Sequence, residues 1–310
     1  MQTVPPIPDA IARPDTQFYT WNGYRCAYSV HQTPNEISGT PILTIHPIGV
    51  GLSRLFWKRF CIEWYRQGNR NPIFNPDLLG CGESEMPRIA YHPKDWAQQL
   101  QYFIETVVGE PAIVVVQGAL FPVAIRLVES ASDWVRGLVL SGPPAWGLIT
   151  QSGKPLQQKL RWNLFFDTPL GNGFYRYARR EGFLESFSKK QLFARDEDVD
   201  AEWLGMLYEG AQNPASRYAV FAFLAGFWRQ DYGEAIAQMQ QPVLALFGDA
   251  ASGISRKGKT DSADKRVNDY VEHLPNGEGK VIPGRNVLPY ESTVKFVEET
   301  AAFVRNVTVS

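Results

Sequence analysis

Residues 112–128 read AIVVVQGALFPVAIRLV: a short, strongly apolar run, then Gln117-Gly118, then a second apolar segment. The first part is the most hydrophobic strand candidate in the chain, fit for burial on both faces of a parallel sheet. The second, from Ala119 to Glu129, continues as a helix. The segment therefore reads as a buried strand that turns sharply into a helix. It holds no Ser, Thr, Cys or Asp, so this turn offers no side-chain heteroatom that a base could activate.

The flanking sequence repeats the alternation. Upstream, Asn22-Gly23 sits between two alternating segments and predicts a hairpin. Residues 41–46 (PILTIH) form another short apolar strand, and 53–67 (SRLFWKRFCIEWYRQ) a helix with Ser53 as its cap. A strand end at 73–77 precedes an amphipathic helix over 95–108. Downstream come a strand at 135–140, two more at 242–247 and 280–283, and helices over 262–273 and 291–305. Strands alternating with helices argue for a mostly parallel sheet covered on both faces. Residues 1–16 are punctuated by proline and read as a flexible arm. The polar stretch 250–265, with the basic tract Arg256-Lys257-Gly258-Lys259, reads as a solvated loop.

Between the strands at 135–140 and 242–247 lie about a hundred residues with no strand pattern. Of the 40 Phe, Trp and Tyr residues in the chain, 18 fall between 144 and 232. This segment is read as a helical cap over 144–235, set into a core of 17–143 and 236–310. Its aromatics (Trp162, Phe165, Phe166, Phe174, Tyr175, Tyr177, Tyr218, Phe221, Phe223, Phe227 and Trp228) either form the cap's own core or line an apolar cavity or exposed patch.

Bulk properties narrow the classes. At 310 residues, 44% hydrophobic and 20% charged, the chain suits one large globular domain with an insertion. A balance of 31 Lys+Arg against 32 Asp+Glu gives no field for nucleic acid. Three widely spaced cysteines without a CxxC point to reduced thiols. The N-terminus lacks the apolar core of a secretory signal, and no run reaches the ~20 residues that span a bilayer. A soluble, cytoplasmic protein is expected. No pattern calls for a metal or a cofactor.

Several segments in order resemble the α/β-hydrolase superfamily, its capped esterase and epoxide-hydrolase-like branch. Ile45-His46-Pro47-Ile48-Gly49 looks like the family's loop that contributes to the oxyanion hole. Asp77-Leu-Leu-Gly-Cys-Gly-Glu-Ser84 resembles its Asp-x-x-Gly-x-Gly-x-Ser turn. The segment ending in Gly248-Asp249 looks like the step before the catalytic acid, and 281–289 like the framework of the catalytic His. The resemblance implies an eight-stranded, mostly parallel sheet with a helical cap. It also implies where a Ser-His-Asp triad belongs: Gly118, Ala251 and Val287. None of these can serve as nucleophile, acid or base. A glycine at the apex of the elbow relieves its positive-φ strain, while Val116 and Leu120 replace the small neighbours the family prefers. His273 precedes the last strand and reads as a helix-end residue.

The expected outcome is a non-catalytic member of that family that binds an apolar ligand or a protein partner, with peripheral membrane contact as a further option. Its pocket would be lined by His46, Pro47, Ile48, Gln117, Gly118, Ala119, Asp249, Asn286 and Val287. The family's gibberellin receptors supply an analogy, having lost part of the triad and kept the fold for binding. Two alternatives remain open. One is a hydrolase acting on a hydrophobic ester-like substrate through displaced residues such as His46, Asp77, Asp249 or Cys81. The other is a scaffold that docks through its aromatic cap. His46 is either a general base or a loop residue, Cys81 either reactive or turn filler, and Arg285-Asn286 either an anion contact or a solvated turn.

Overall fold

The computed structural model describes residues 9–33, 38–253 and 261–309. An eight-stranded sheet runs through them: β1 (Gln17–Trp21), β2 (Tyr24–His31), β3 (Ile42–Ile45), β4 (Ile73–Pro76), β5 (Ala112–Gln117), β6 (Val135–Ser141), β7 (Val243–Gly248) and β8 (Gly277–Ile282). Their spatial order is β1-β2-β4-β3-β5-β6-β7-β8. β2 runs antiparallel to both neighbours, and every pairing from β4 to β8 is parallel. This is the α/β-hydrolase sheet the sequence implied. At the β1–β2 hairpin both Asn22 (φ 49°) and Gly23 (φ 82°) are left-handed, the geometry that an Asn-Gly pair favours.

Two cores follow from the period-2 alternation of the strands. Val114 and Val116 of β5 join one core, with α3 (Pro93–Phe103), α4 (Phe121–Ala131) and α12 (Ala263–His273). Ile113 and Val115 join the other, with α2 (Lys58–Arg66) and α14 (Thr293–Val309). The remaining helices are α1 (Asp9–Ala12) before the sheet, α13 (Leu288–Glu291) after it, and seven between β6 and β7. Those seven are α5 (Trp146–Ile149), α6 (Pro155–Arg161), α7 (Pro169–Ala178), α8 (Glu181–Phe187), α9 (Ala201–Gly210), α10 (Arg217–Ala225) and α11 (Gly233–Ala237). Among the described residues no helix is long and apolar enough to cross a membrane.

Helix boundaries depart from the sequence reading for local reasons. Ser53 does cap its helix, accepting from the Leu55 N–H at 3.3 Å, but a tight 3₁₀ turn over Arg54–Trp57 precedes α2. A π turn (Ile104–Val108) extends α3 until Gly109, at φ 78°, stops it. α4 begins two residues later than expected because Gly118–Leu120 is a 3₁₀ turn.

Residues 9–16 differ from the flexible arm expected for 1–16. Ile11 is buried, and its carbonyl lies 2.7 Å from His31 Nδ1. Thr16 Oγ1 accepts from the Arg54 guanidinium and donates to Glu83. These polar links hold the arm against the core. In the 250–265 stretch, the basic tract at 256–259 lies outside the described residues, and Ser262 caps α12 by accepting from the Lys265 N–H at 3.2 Å.

Candidate functional site

Parallel strands bring their C-terminal ends to one edge of the sheet, so the turns after β3, β5, β7 and β8 converge there. After β5 the chain takes the elbow expected of it: Gly118 has φ 60°. A Cβ at this position would meet nothing closer than the Gly142 carbonyl at 4.0 Å, so a side chain has room. Val116 and Leu120 are buried beside the turn and do not prevent it.

Gln117 ties this elbow to its neighbours. It is 2% exposed. Its Oε1 accepts from Ser141 Oγ at the end of β6 (2.6 Å), and its Nε2 donates to the Asn286 carbonyl (2.7 Å). Asn286 carries the chain of contacts onward. Its Nδ2 donates to the carbonyls of Gln191 (2.7 Å) and Ser252 (3.1 Å), and its N–H to that of Leu192 (3.0 Å). The turns bearing Gly118, Ala251 and Val287 are thus linked through one asparagine.

The Arg285-Asn286 turn was expected to be solvated or anion-binding. Instead it grips the cap. Arg285 Nη1 donates to the Lys190 carbonyl at 3.1 Å. Glu291 accepts from the N–H groups of Ala194 (2.9 Å), Arg285 (2.5 Å) and Val287 (3.4 Å). Burial raises the Glu291 pKa, and those backbone donors oppose the shift. Asp249 completes the turn after β7, accepting from the Gly284 N–H at 3.0 Å.

His46 is fully buried beneath this edge. Its Nε2 accepts from the Leu78 N–H (3.1 Å), which places the proton on Nδ1, and Nδ1 donates to the Pro47 carbonyl (2.7 Å). Burial lowers its pKa, so the neutral ring is held with no lone pair to spare. The loop-residue reading of His46 matches this environment.

The turn at 77–84 is equally committed. Asp77 accepts from the N–H groups of Arg54 (2.8 Å) and Glu83 (2.9 Å) and pairs with the Arg54 guanidinium. Gly82, at φ 55°, lies so close that a Cβ would overlap the Asp77 carboxylate. Cys81 is buried, and burial pushes its thiol pKa up, away from the thiolate.

Helix α9 packs against the loop after β3. A Cβ on Gly51 would overlap the Leu207 carbonyl of α9, and one on Gly210 would overlap the Gly51 carbonyl. The loop after β3 and helix α9 therefore touch backbone to backbone. Trp203 of α9, fully buried against Phe56, Phe193 and Tyr290, and Tyr290 Oη donating to Asp200 (2.9 Å) fasten the contact. Arg59 adds ion pairs to Asp200 and Glu202.

Among the described residues, cavities lie elsewhere. One, of about 500 Å³, lies between residues 12–16, the start of α2 and α9, lined by Arg54, Leu55 and Met206 among others. The second, of about 330 Å³, lies at the foot of α6, beside His92, Gln158 and Phe227. Neither is lined by any of His46, Pro47, Ile48, Gln117, Gly118, Ala119, Asp249, Asn286 or Val287. Of these positions Asp249 is exposed and Ile48, Gly118, Ala119 and Asn286 are half-buried, whereas His46, Pro47, Gln117 and Val287 are buried. The sequence reading had not singled out Gly51, Gly210, Ser141 or Glu291. Nothing local to those residues signals their contacts.

The sequence matches the model of the alpha/beta hydrolase family over residues 42–300. Among solved structures, an esterase from Thermogutta terrifontis superposes with a TM-score of 0.70 at 16% identity, covering 95% of this chain and 99% of that one. A serine hydrolase involved in carbazole degradation gives 0.70 at 18% identity, covering 94% and 98%. The epoxide hydrolase CorEH gives 0.69 at 18%, covering 94% and 99%. At these identities the likeness is one of fold. A search of curated proteins finds no match at the same standard.

Proposed function

We propose that this chain, which belongs to the alpha/beta hydrolase family, is a member that binds an apolar ligand or a protein partner instead of hydrolysing a substrate. One observation carries the reading. The residue at the positive-φ apex after β5 is Gly118, which brings no nucleophile to a turn that has space for one. The surroundings support it. Val287 and Ala251 provide neither base nor acid, and Gln117, Asn286 and Glu291 are engaged in fastening strands and cap together.

The esterase and epoxide hydrolase likenesses favour a second reading, hydrolysis through displaced residues. Its candidates are His46, Asp77, Asp249 and Cys81. Each already has a structural partner or is buried with its ionised form disfavoured. A fluorophosphonate probe and a screen of short-chain p-nitrophenyl esters separate the two readings. The binding reading expects neither labelling nor turnover. Turnover abolished by changing His46 or Cys81 would overturn it. Mass spectrometry of an organic extract of the purified protein then identifies an apolar ligand, and its absence favours the protein partner.

A further inference from the structure

The outer face of the cap exposes large apolar side chains where a water-soluble surface would carry polar ones. On α6 and the π turn that follows it, Leu156, Leu160 and Leu164 recur every four residues and are 79%, 54% and 64% exposed. On α7, Leu170, Phe174 and Tyr177 follow at helical spacing, with Leu170 at 65%. The Phe165 and Phe174 rings, 6.2 Å apart, join the two stripes. Of 17 large hydrophobic residues exposed among the described residues, eight lie between 156 and 187. Such clustering is a patch, not the scattered exposure of an ordinary surface.

Charge identifies what covers it. Residues 154–187 hold six cations (Lys154, Lys159, Arg161, Arg176, Arg179 and Arg180) against three anions, Asp167, Glu181 and Glu185, in a chain whose net charge is −1. Asp167 is already paired with Arg88. Lys154, Lys159, Arg161, Arg176 and Arg180 are exposed and have no carboxylate partner among the described residues. Cations interleaved with protruding leucines suit a deformable anionic surface, where apolar side chains enter the acyl boundary and basic ones meet headgroups. A second copy is the poorer occupant. A two-fold interface sets the same patch against itself, and here that opposes like charges.

We infer that the α6–α7 face of the cap docks on an anionic lipid membrane as a peripheral surface. This stands whether or not the chain hydrolyses anything. It is tested with the full chain by co-sedimentation on phosphatidylcholine vesicles with and without phosphatidylglycerol, at low and high salt. Binding to the anionic vesicles alone, weakened by salt, is the expected result. Lys159→Gln with Arg161→Gln should lower the partition coefficient roughly thirtyfold, at about 1 kcal/mol per basic residue. Leu160→Ser with Leu164→Ser should also release the protein. Both pairs are exposed, and unchanged circular dichroism and thermal midpoint confirm that the variants fold. Equal partition onto neutral vesicles, or none onto either, overturns the inference. So does a dimer seen by light scattering that the leucine changes dissociate.

Discussion

Gly51→Ala and Gly118→Ala form a matched pair that measures how firmly helix α9 is pressed onto the loop after β3. Both glycines are left-handed, at φ 79° and φ 60°, so alanine at either position incurs the same conformational strain, about 1–2 kcal/mol. They differ in surroundings. At Gly118 the new methyl meets nothing closer than the Gly142 carbonyl at 4.0 Å, and strain is the whole cost. At Gly51 the methyl overlaps the Leu207 carbonyl, and backbone on both sides cannot rotate aside. Helix α9 must move, and with it Trp203 and Leu207, which are buried in the core beneath. Burying one such side chain stabilises by about 1.5–3 kcal/mol, so partial exposure of two adds about 2–4 kcal/mol to the strain. Urea unfolding should therefore place Gly51→Ala about 2–4 kcal/mol below Gly118→Ala. Amide hydrogen exchange should also show α9 losing protection only in Gly51→Ala. If the two variants unfold within about 0.5 kcal/mol of each other, the loop and helix are not pressed together.

Three further outcomes are expected. Gly118→Ser, Ala251→Asp and Val287→His together should hydrolyse p-nitrophenyl acetate on the order of a hundredfold faster than Gly118→Ser alone, the contribution of a positioned base; equal rates would refute the assignment of those positions. Burial lowers the His31 pKa to about 4 from 6.5, so as pH falls the unfolded chain takes up the proton first and stability declines between about 6.5 and 4. That shift corresponds to about 2 kcal/mol lost between about pH 7 and pH 5, which His31→Asn should remove from the pH dependence of the urea midpoint; an unchanged dependence would refute it. Asp77→Asn should destabilise by about 3 kcal/mol, because the buried Arg54 guanidinium loses its buried counter-ion; calorimetry showing under about 1 kcal/mol would count against that network.

What the sequence revealed and what it concealed divide along one physical line. Local periodicity and turn chemistry act over a few residues, so the two-faced strands and the Asn22-Gly23 hairpin were readable in advance, whereas Val116 and Leu120 left the elbow at Gly118 open. The role of His46 depends on the Leu78 N–H, 32 residues later, and a His-Pro pair after a strand reads the same with the ring free or fixed. Gly51 and Gly210 look like any loop or helix-end glycine until α9 is laid across the loop after β3. The cap aromatics were left between core and surface, and the structure divides them. Trp162, Phe166, Tyr175, Tyr218, Phe221 and Phe227 are buried, whereas Phe165, Phe174 and Tyr177 are exposed. Short helices interrupted by π turns at Trp162–Phe166 and Ser188–Leu192 scramble the 3.6-residue period that would have separated the two sets. The same packing bears on function. The carbonyls of Gln191 and Leu192 engage Asn286 at the C-terminal edge of the sheet. Those hydrogen bonds stop short of the elbow itself: Gly118 is half-buried and a Cβ there would meet nothing closer than 4.0 Å, so the packing of residues 191–192 leaves room at the turn.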